Sequence, residues 1–328
     1  MDNPRKPSGT ILTTSPYVVL AILNHNGCEH LEYSLPTALE QDYSHVRVVV
    51  VDNASTDASL VWLEENFPQV SVVKLQQNVG YSAFNVFLQH EITQDAEYLL
   101  FLTNDIKLDP RCVSHAVEAI SQDPHIGVIG FKMLGAIKWT DPEELEKASA
   151  AFKKPHLSDT DWVEGAAMMV HLGLLRALDG IDPVYFVYCD EDDLQARIRA
   201  CGYKITKLNV PVWHNAGRNS LAVVPRRAAY LQMRNMIRYQ IKNYGCLRGI
   251  KQAVRTALTA CSPFVSIDRS LPYEVRQRPF GIFQNSIIVL QAWAWNFLQL
   301  PKTIRARQSS LRQIAQIRSQ STNPTLDS

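Results

Sequence analysis

VRVVVVDNASTD, Val46 to Asp57, decides the fold. Val46 to Val51 is valine except at Arg47, and Val48 to Val51 is a continuous apolar run. That pattern belongs to a strand in a parallel sheet covered on both sides. The run stops at Asp52, and Asp52 to Asp57 is polar, with Thr56 or Asp57 placed to cap a helix reaching about Phe67. The same rhythm recurs along the first half of the chain. Strands are expected at Tyr17 to Leu23, Val70 to Leu75, Tyr98 to Leu102 and Ile126 to Phe131. Helices are expected at Cys28 to Gln41, Tyr81 to Glu91 and from Pro110 to near Gln122. Repeated βα units with right-handed crossovers predict an α/β fold with a mostly parallel sheet. Ligands of such sheets bind beyond the carboxyl ends of the strands. Three polar clusters follow strand ends: Asn24-His25-Asn26, Asp52 to Asp57, and Thr103 to Asp105.

Further along, Gly135 to Asp159 reads as a loop with one short helix, and Trp162 to His171 as a strand. A helix is expected at Asp190 to Cys201, and two short strands at Lys204 to Leu208 and Val210 to His214. Beyond Pro225 the chain turns helical, at Arg226 to Tyr244, Leu247 to Ala260 and Phe280 to about Ile317. The expected organisation is a tail at 1–16, a catalytic domain at 17–224, a helical region at 225–320 and a tail at 321–328.

The chain has 328 residues and a net charge of +1, so nothing global argues for nucleic acid as a partner. Six scattered cysteines, none in a Cys-x-x-Cys pair, read as reduced residues of a cytoplasmic protein. The polar start lacks the features of a signal peptide.

The carboxylates carry the candidate chemistry. Asp52 at a strand end suits a pyrimidine N–H or a ribose, or else caps a turn. Asp105 in FLTNDIKLD, Phe101 to Asp109, suits Mg²⁺ or Mn²⁺, which favour oxygen ligands and take help from a substrate phosphate. Taken alone it reads equally as a turn acid. Asp190-Glu191-Asp192-Asp193 opens a helix, where adjacent acids raise at least one pKa. A carboxylate there suits a general base for an acceptor hydroxyl, or a solvated helix start. Arg197 stands four residues after Asp193 and is placed to pair with it. His214, after a short strand, suits a third metal ligand or a diphosphate contact. Arg218 and Ser220, in a Gly-containing loop, suit a diphosphate.

These segments, in this order, resemble the inverting family 2 glycosyltransferases of the GT-A fold, and within them a rhamnosyltransferase-like branch. Val19 to Gly27 is similar to the family's opening strand and Asn-x-Asn-Gly turn, and Val51 to Asp57 to its nucleotide signature. Asn78 to Asn85 is similar to its Asn-x-Gly-aromatic segment. Leu102 to Asp105 stands in the place of its Asp-x-Asp motif. Trp162 to Met169, Gly180 to Asp182 and Asp190 to Leu194 resemble its acceptor strand and base motif.

The resemblance implies a GT-A fold with a C-terminal helical extension. It places Asn24, Asp52, Asn53, Asp57, Asn78, Gly80, Asn85 and Asn104 around the nucleotide, Asp105 and His214 on the metal, and Asp190 or Glu191 as base. Gly165 and Asp193, with Arg218 and Ser220, are then expected at the diphosphate or acceptor. It implies a dTDP- or UDP-sugar donor, with dTDP-rhamnose the first expectation, and a glycan or lipid-linked acceptor in cell-surface polysaccharide synthesis. Arg234-Asn235 resembles a further pair of the same branch. Three departures stand out. Thr103 replaces an acid or amide, Asp192 fills the variable position of an acid-acid-x-Asp base motif and leaves the base open between Asp190 and Glu191, and Ser82 and Ala83 stand where relatives often have glycine.

Phe280 to Leu300 carries no charge. Its polar residues, Gln284, Asn285, Gln291, Asn296 and Gln299, fall within an arc of roughly 140°. Phe283, Leu290, Trp293 and Phe297 lie opposite, and a basic stretch follows. This suits a helix lying peripherally on the inner membrane face, or equally one packed on the catalytic domain or in a homodimer. The competing function is a non-catalytic sugar-nucleotide-binding subunit on the same fold. A nucleotidyltransferase or a dehydrogenase needs a Gly-rich phosphate loop, and Asn24-His25-Asn26-Gly27 is too poor in glycine.

Overall fold

A computed structural model describes residues 15–135, 143–215, 225–261 and 280–322. Of the two expected tails, 1–14 and 323–328 lie outside the described residues. The sheet is built from β1 (Val18–Asn24), β2 (Val46–Asp52), β3 (Ser71–Lys74), β4 (Tyr98–Thr103), β5 (Ile106–Leu108), β6 (Ile126–Leu134), β7 (Leu157–Thr160), β8 (Ala167–His171) and β9 (Lys204–His214). The helices are α1 (Cys28–Leu39), α2 (Ser59–Asn66), α3 (Cys112–Gln122), α4 (Glu143–Ala151), α5 (Leu172–Ala177), α6 (Asp190–Ala200), α7 (Pro225–Tyr244), α8 (Cys246–Cys261) and α9 (Ile282–Thr322).

The strand order is β3-β2-β1-β4-β8-β6-β9-β5, with β7 also paired to β9. β3, β2, β1 and β4 are mutually parallel, as the valine-rich runs require. Alternation along these strands feeds two cores. Leu20, Ile22 and Val50 pack with Leu31 and Leu35 of α1 and Val113 and Ala116 of α3. Val19, Ala21, Val49 and Val51 pack with Phe84, Phe87 and, from α6, Leu194 and Ile198.

Beyond β4 the expected parallel order changes. β8 enters antiparallel between β4 and β6, so these two keep a common direction without touching. The two strands expected at 204–208 and 210–214 are one strand, β9, with a register shift opposite Phe131 and Lys132. The irregularity accommodates Pro211, which has no N–H to give to a ladder. The helix expected at 81–91 is instead 3₁₀ structure, at Gly80–Leu88 and Glu91–Thr93. Buried Phe84 and Phe87 pin it to the sheet, and Ser82 and Asn85 give their side chains to Val79 O and Ile181 O. The turn expected after Thr103 continues into β5, antiparallel to β9, with Ile106 opposite His214. The loop expected at 135–159 holds α4 and ends in β7.

α7, α8 and α9 share a small core of Ala229, Met233, Ala260, Ile288, Val289 and Ala292. They are joined to the sheet domain through buried charge. Lys242 of α7 donates to Asp182 Oδ2 (2.8 Å) and Asp193 Oδ2 (2.7 Å). Arg238 donates to Asp182 (2.7 Å) and to Thr303 of α9 (2.7 Å). Among the described residues no helix is long and apolar enough to cross a membrane.

Candidate active site

A cleft of about 280 Å³ opens at the carboxyl ends of β1, β2 and β4. Its lining includes Asn53, Asn78, Gly80, Asn104, Asp105, Gly165, Asp190, Glu191 and His214, gathered from segments far apart in sequence. His25, Tyr81, Phe186, Val187 and Tyr188 also line it. Sequence reasoning missed these five. His25 stood inside a polar cluster that was already visible, whereas the aromatic run 185–188 has the look of a strand.

On the β1–β2 side the residues hold one another. Asn104 Nδ2 donates to Asn24 Oδ1 (2.7 Å), and Asn24 Nδ2 donates to Ser55 Oγ (3.2 Å) and Asp52 Oδ1 (3.4 Å). Asp52 Oδ2 accepts from the Ser55 N–H (3.0 Å), closing the turn at the end of β2. Asn53 accepts from the Val79 N–H (2.9 Å) and donates to Asn78 Oδ1 (3.1 Å) and Gly80 O (3.0 Å).

Five expected site residues among those described, Asn24, Asp52, Asp57, Asn85 and Asp193, are not in the lining of the cleft. Asp57 accepts from the N–H groups of Cys28 (3.1 Å) and Ser59 (3.0 Å), fixing the starts of α1 and α2. Asn85 makes two bonds to the Ile181 backbone, 2.7 and 2.8 Å. Asp193 is fully buried among Arg197, Lys242, Tyr185 and Asn243. The Arg197 pairing follows the expected four-residue spacing, but a carboxylate so enclosed has no path to a diphosphate or acceptor. Asn24 and Asp52 stand just behind the lining. Arg218 and Ser220 lie outside the described residues.

The β5–β9 register brings Asp105 Oδ2 within 3.3 Å of His214 Nε2. Thr103, at the unusual position, donates its hydroxyl to Asp105 Oδ1 (2.6 Å), so it orients the carboxylate. Burial works to raise the Asp105 pKa, but His214 and the Thr103 hydroxyl outweigh it and hold the group well below the usual carboxylate range. Among the described residues no three His, Cys, Asp or Glu side chains gather as a metal cluster.

The opposite wall is the start of α6. Gly80 (φ +67°) lets the 186–189 backbone come close, because a Cβ there would lie 1.8 Å from Phe186 O. Phe186, Tyr188 and Cys189 are all left-handed, with φ of 69°, 69° and 61°. This costs about 1–2 kcal/mol at each non-glycine residue. Asn235 of α7 offsets the strain, since its amide donates to the carbonyls of Tyr185 (2.9 Å), Val187 (2.8 Å) and Tyr188 (2.9 Å). Arg234 donates to Val184 O (2.8 Å) and Tyr185 O (3.0 Å).

Asp190 is 2% exposed, and its Oδ2 has no hydrogen-bond partner among the described residues. Burial pushes its pKa up, opposed by a hydrogen bond with Glu191. Glu191 is half-buried and packs against Gly165, where a Cβ would lie 3.0 Å from that of Glu191. Partly buried Tyr81 donates its hydroxyl to Gly165 O.

Asp192 is pushed up to about 8, by burial first and then by the Glu191 and Asp193 charges. Its unfolded value is about 3.9. Between these values the folded state holds a proton that the unfolded chain has lost, so stability falls as pH rises. Asp192→Asn should therefore raise Tm, by a margin that grows from about pH 4 to pH 8 and then levels off. Melts across that range check this; a pH-independent margin would reject it.

Residues 19–167 match the family model described as Glycosyl transferase family 2. The chain is 21% identical over 207 residues to the N-acetylglucosaminyl-diphospho-decaprenol L-rhamnosyltransferase of Mycobacterium tuberculosis, covering 53% of this chain and 67% of that protein. Its fold is similar to that of Staphylococcus aureus TarS residues 1–349 in complex with UDP-GlcNAc (TM-score 0.54, 16% identity, 94% of this chain and 92% of that one). It is also similar to GalNAc-T7 with UDP, GalNAc and Mn²⁺ (TM-score 0.57, 13% identity, 87% of this chain and 58% of that one).

Proposed function

We propose that the chain, whose residues 19–167 match the family 2 model on a GT-A fold, is a glycosyltransferase that transfers sugar from a nucleoside diphosphate by a single inverting displacement. The observation that carries this reading is one cleft lined by two different acid sites, Asp105 with His214 on one wall and Asp190 with Glu191 on the other.

Glu191 is the base. It is the more open carboxylate of the pair, whereas the buried Asp190 Oδ2 is beyond reach of an incoming hydroxyl. Glu191 takes the acceptor proton as the oxygen attacks the anomeric carbon, and the nucleoside diphosphate departs with the bonding electrons. Asp105 and His214 are a hard oxygen and an imidazole donor, a set that suits Mg²⁺ or Mn²⁺ when a diphosphate completes the shell. Bound there, the ion would supply positive charge to the leaving diphosphate. Asn53, Asn78 and Gly80 shape the nucleotide side, and Thr103 holds Asp105 in place.

The mycobacterial relative supports L-rhamnose as the sugar and a lipid-linked saccharide as the acceptor. A dTDP- or UDP-sugar is the donor class, met on the cytoplasmic side. The alternative, a non-catalytic binding subunit, is disfavoured by the half-buried Glu191 lining the same cleft as Asp105 and His214.

Hydrolysis of dTDP-rhamnose and UDP-sugars, followed with Mg²⁺, Mn²⁺ and EDTA, tests the proposal. Wild-type protein should turn over one donor, EDTA should abolish it, and Asp105→Asn should lower it about 100-fold. Binding without turnover under every condition would favour the subunit reading. Undiminished turnover in Asp105→Asn would remove the metal assignment.

A further inference from the structure

α8 is amphipathic with its polarity reversed relative to the body it packs on. It buries Gly249, Thr256 and Ala260 and exposes Leu247 (85%), Ile250 (62%), Val254 (49%) and Leu258 (62%). At about 100° per residue these four form one narrow outward stripe. Gly249 fixes that orientation, since a Cβ there would meet Ile241 Cγ1 of α7 at 2.1 Å. The small side must face α7, and the apolar side must face out.

α9 repeats the inversion. Asn285 and Asn296 are buried and bonded to Ala260 O (3.0 Å) and Arg234 O (3.0 Å). Phe283, Leu290, Phe297 and Leu298 point outward. Of the polar arc seen in the sequence, Asn285 and Asn296 face inward, whereas Gln284 and Gln291 are exposed.

Charge identifies the occupant. Arg248, Lys251 and Arg255 are exposed beside the α8 stripe, and Lys302, Arg305 and Arg312 are exposed on α9. Residues 225–261 and 280–322 contain no Asp or Glu. Apolar stripes flanked only by cations match a bilayer interface bearing anionic lipid. Neither helix is long and apolar enough to cross it. We propose that the outward face of α8 and α9 docks the protein on an anionic membrane surface. This face is separate from the cleft.

Flotation of the full chain with phosphatidylcholine vesicles, and with vesicles containing 30% phosphatidylglycerol, is the test. Binding to the anionic vesicles should be at least tenfold stronger and should weaken in 0.5 M salt. The triple variant Leu247→Ser, Val254→Ser, Leu258→Ser should lose at least tenfold in binding while hydrolysing soluble donor at the wild-type rate. No flotation of the wild type, or equal flotation of wild type and variant, overturns the proposal. So does a wild-type dimer that ignores vesicles and becomes monomeric in the variant, which would assign the face to a second copy. Donor hydrolysis in the same samples reports on the cleft independently, so failure of the surface and failure of the enzymatic reading are told apart.

Discussion

Glu191→Gln should lower sugar transfer by about a thousandfold, with donor affinity within a few-fold of wild type. Amide for carboxylate keeps the shape against Gly165 but removes the proton acceptor, and positioned general bases contribute about 10²–10⁴. Since the base meets the acceptor and not the nucleotide, the loss should fall on kcat. Asp190→Asn is the matched control. Its carboxyl is enclosed, so at least a tenth of wild-type turnover should remain. Turnover with a defined acceptor, alongside donor titration, measures both. Full activity in Glu191→Gln with collapse in Asp190→Asn would transfer the role of base to Asp190.

Lys242→Met should be the most destabilising single change, at about 3–5 kcal/mol in urea unfolding. Lys242 is 4% exposed and bonds two carboxylates, Asp182 and Asp193, from different segments. Methionine fits the space but leaves both acids with less compensation. Acid titration adds a second signature. Burial works to raise the pKa of Asp182 and Asp193, yet Lys242 and its Arg neighbours pull both below the ordinary value. Such groups contribute stability that is complete above about pH 5 and is lost as pH falls through their folded values. The wild type should therefore lose stability on acidification more steeply than Lys242→Met. Equal slopes, or a loss under 1 kcal/mol, would show that the network matters little.

Local pattern made much of this molecule readable. The apolar runs at 18–24 and 98–103 became parallel strands buried on both faces, and 46–52 joins them with burial from Val49 onward. The acidic start of α6 and its Asp193–Arg197 pair followed from helical spacing. What stayed hidden depends on distant partners. No local signal says that β8 enters between β4 and β6, or that β5 turns back along β9 to set Asp105 beside His214. Asp57, Asn85 and Asp193 share the polar character of ligand contacts, yet their atoms hold backbone and buried cations. Thr103 looked like a loss in the sequence, whereas its hydroxyl bonds directly to the acid two residues on.

The left-handed run at Phe186, Tyr188 and Cys189 has a consequence for synthesis of the chain. Held by Asn235, that segment aims the start of α6 into the cleft. Chains emerge from the ribosome amino end first and fold in that order. Sheet and nucleotide side can assemble early, but the run reaches its strained shape only after α7 has emerged to clamp it. On the proposed reading, a nascent chain stalled before residue 225 would lack the clamp that aims Glu191 into the cleft. Competence is acquired late, as one step with the docking of α7.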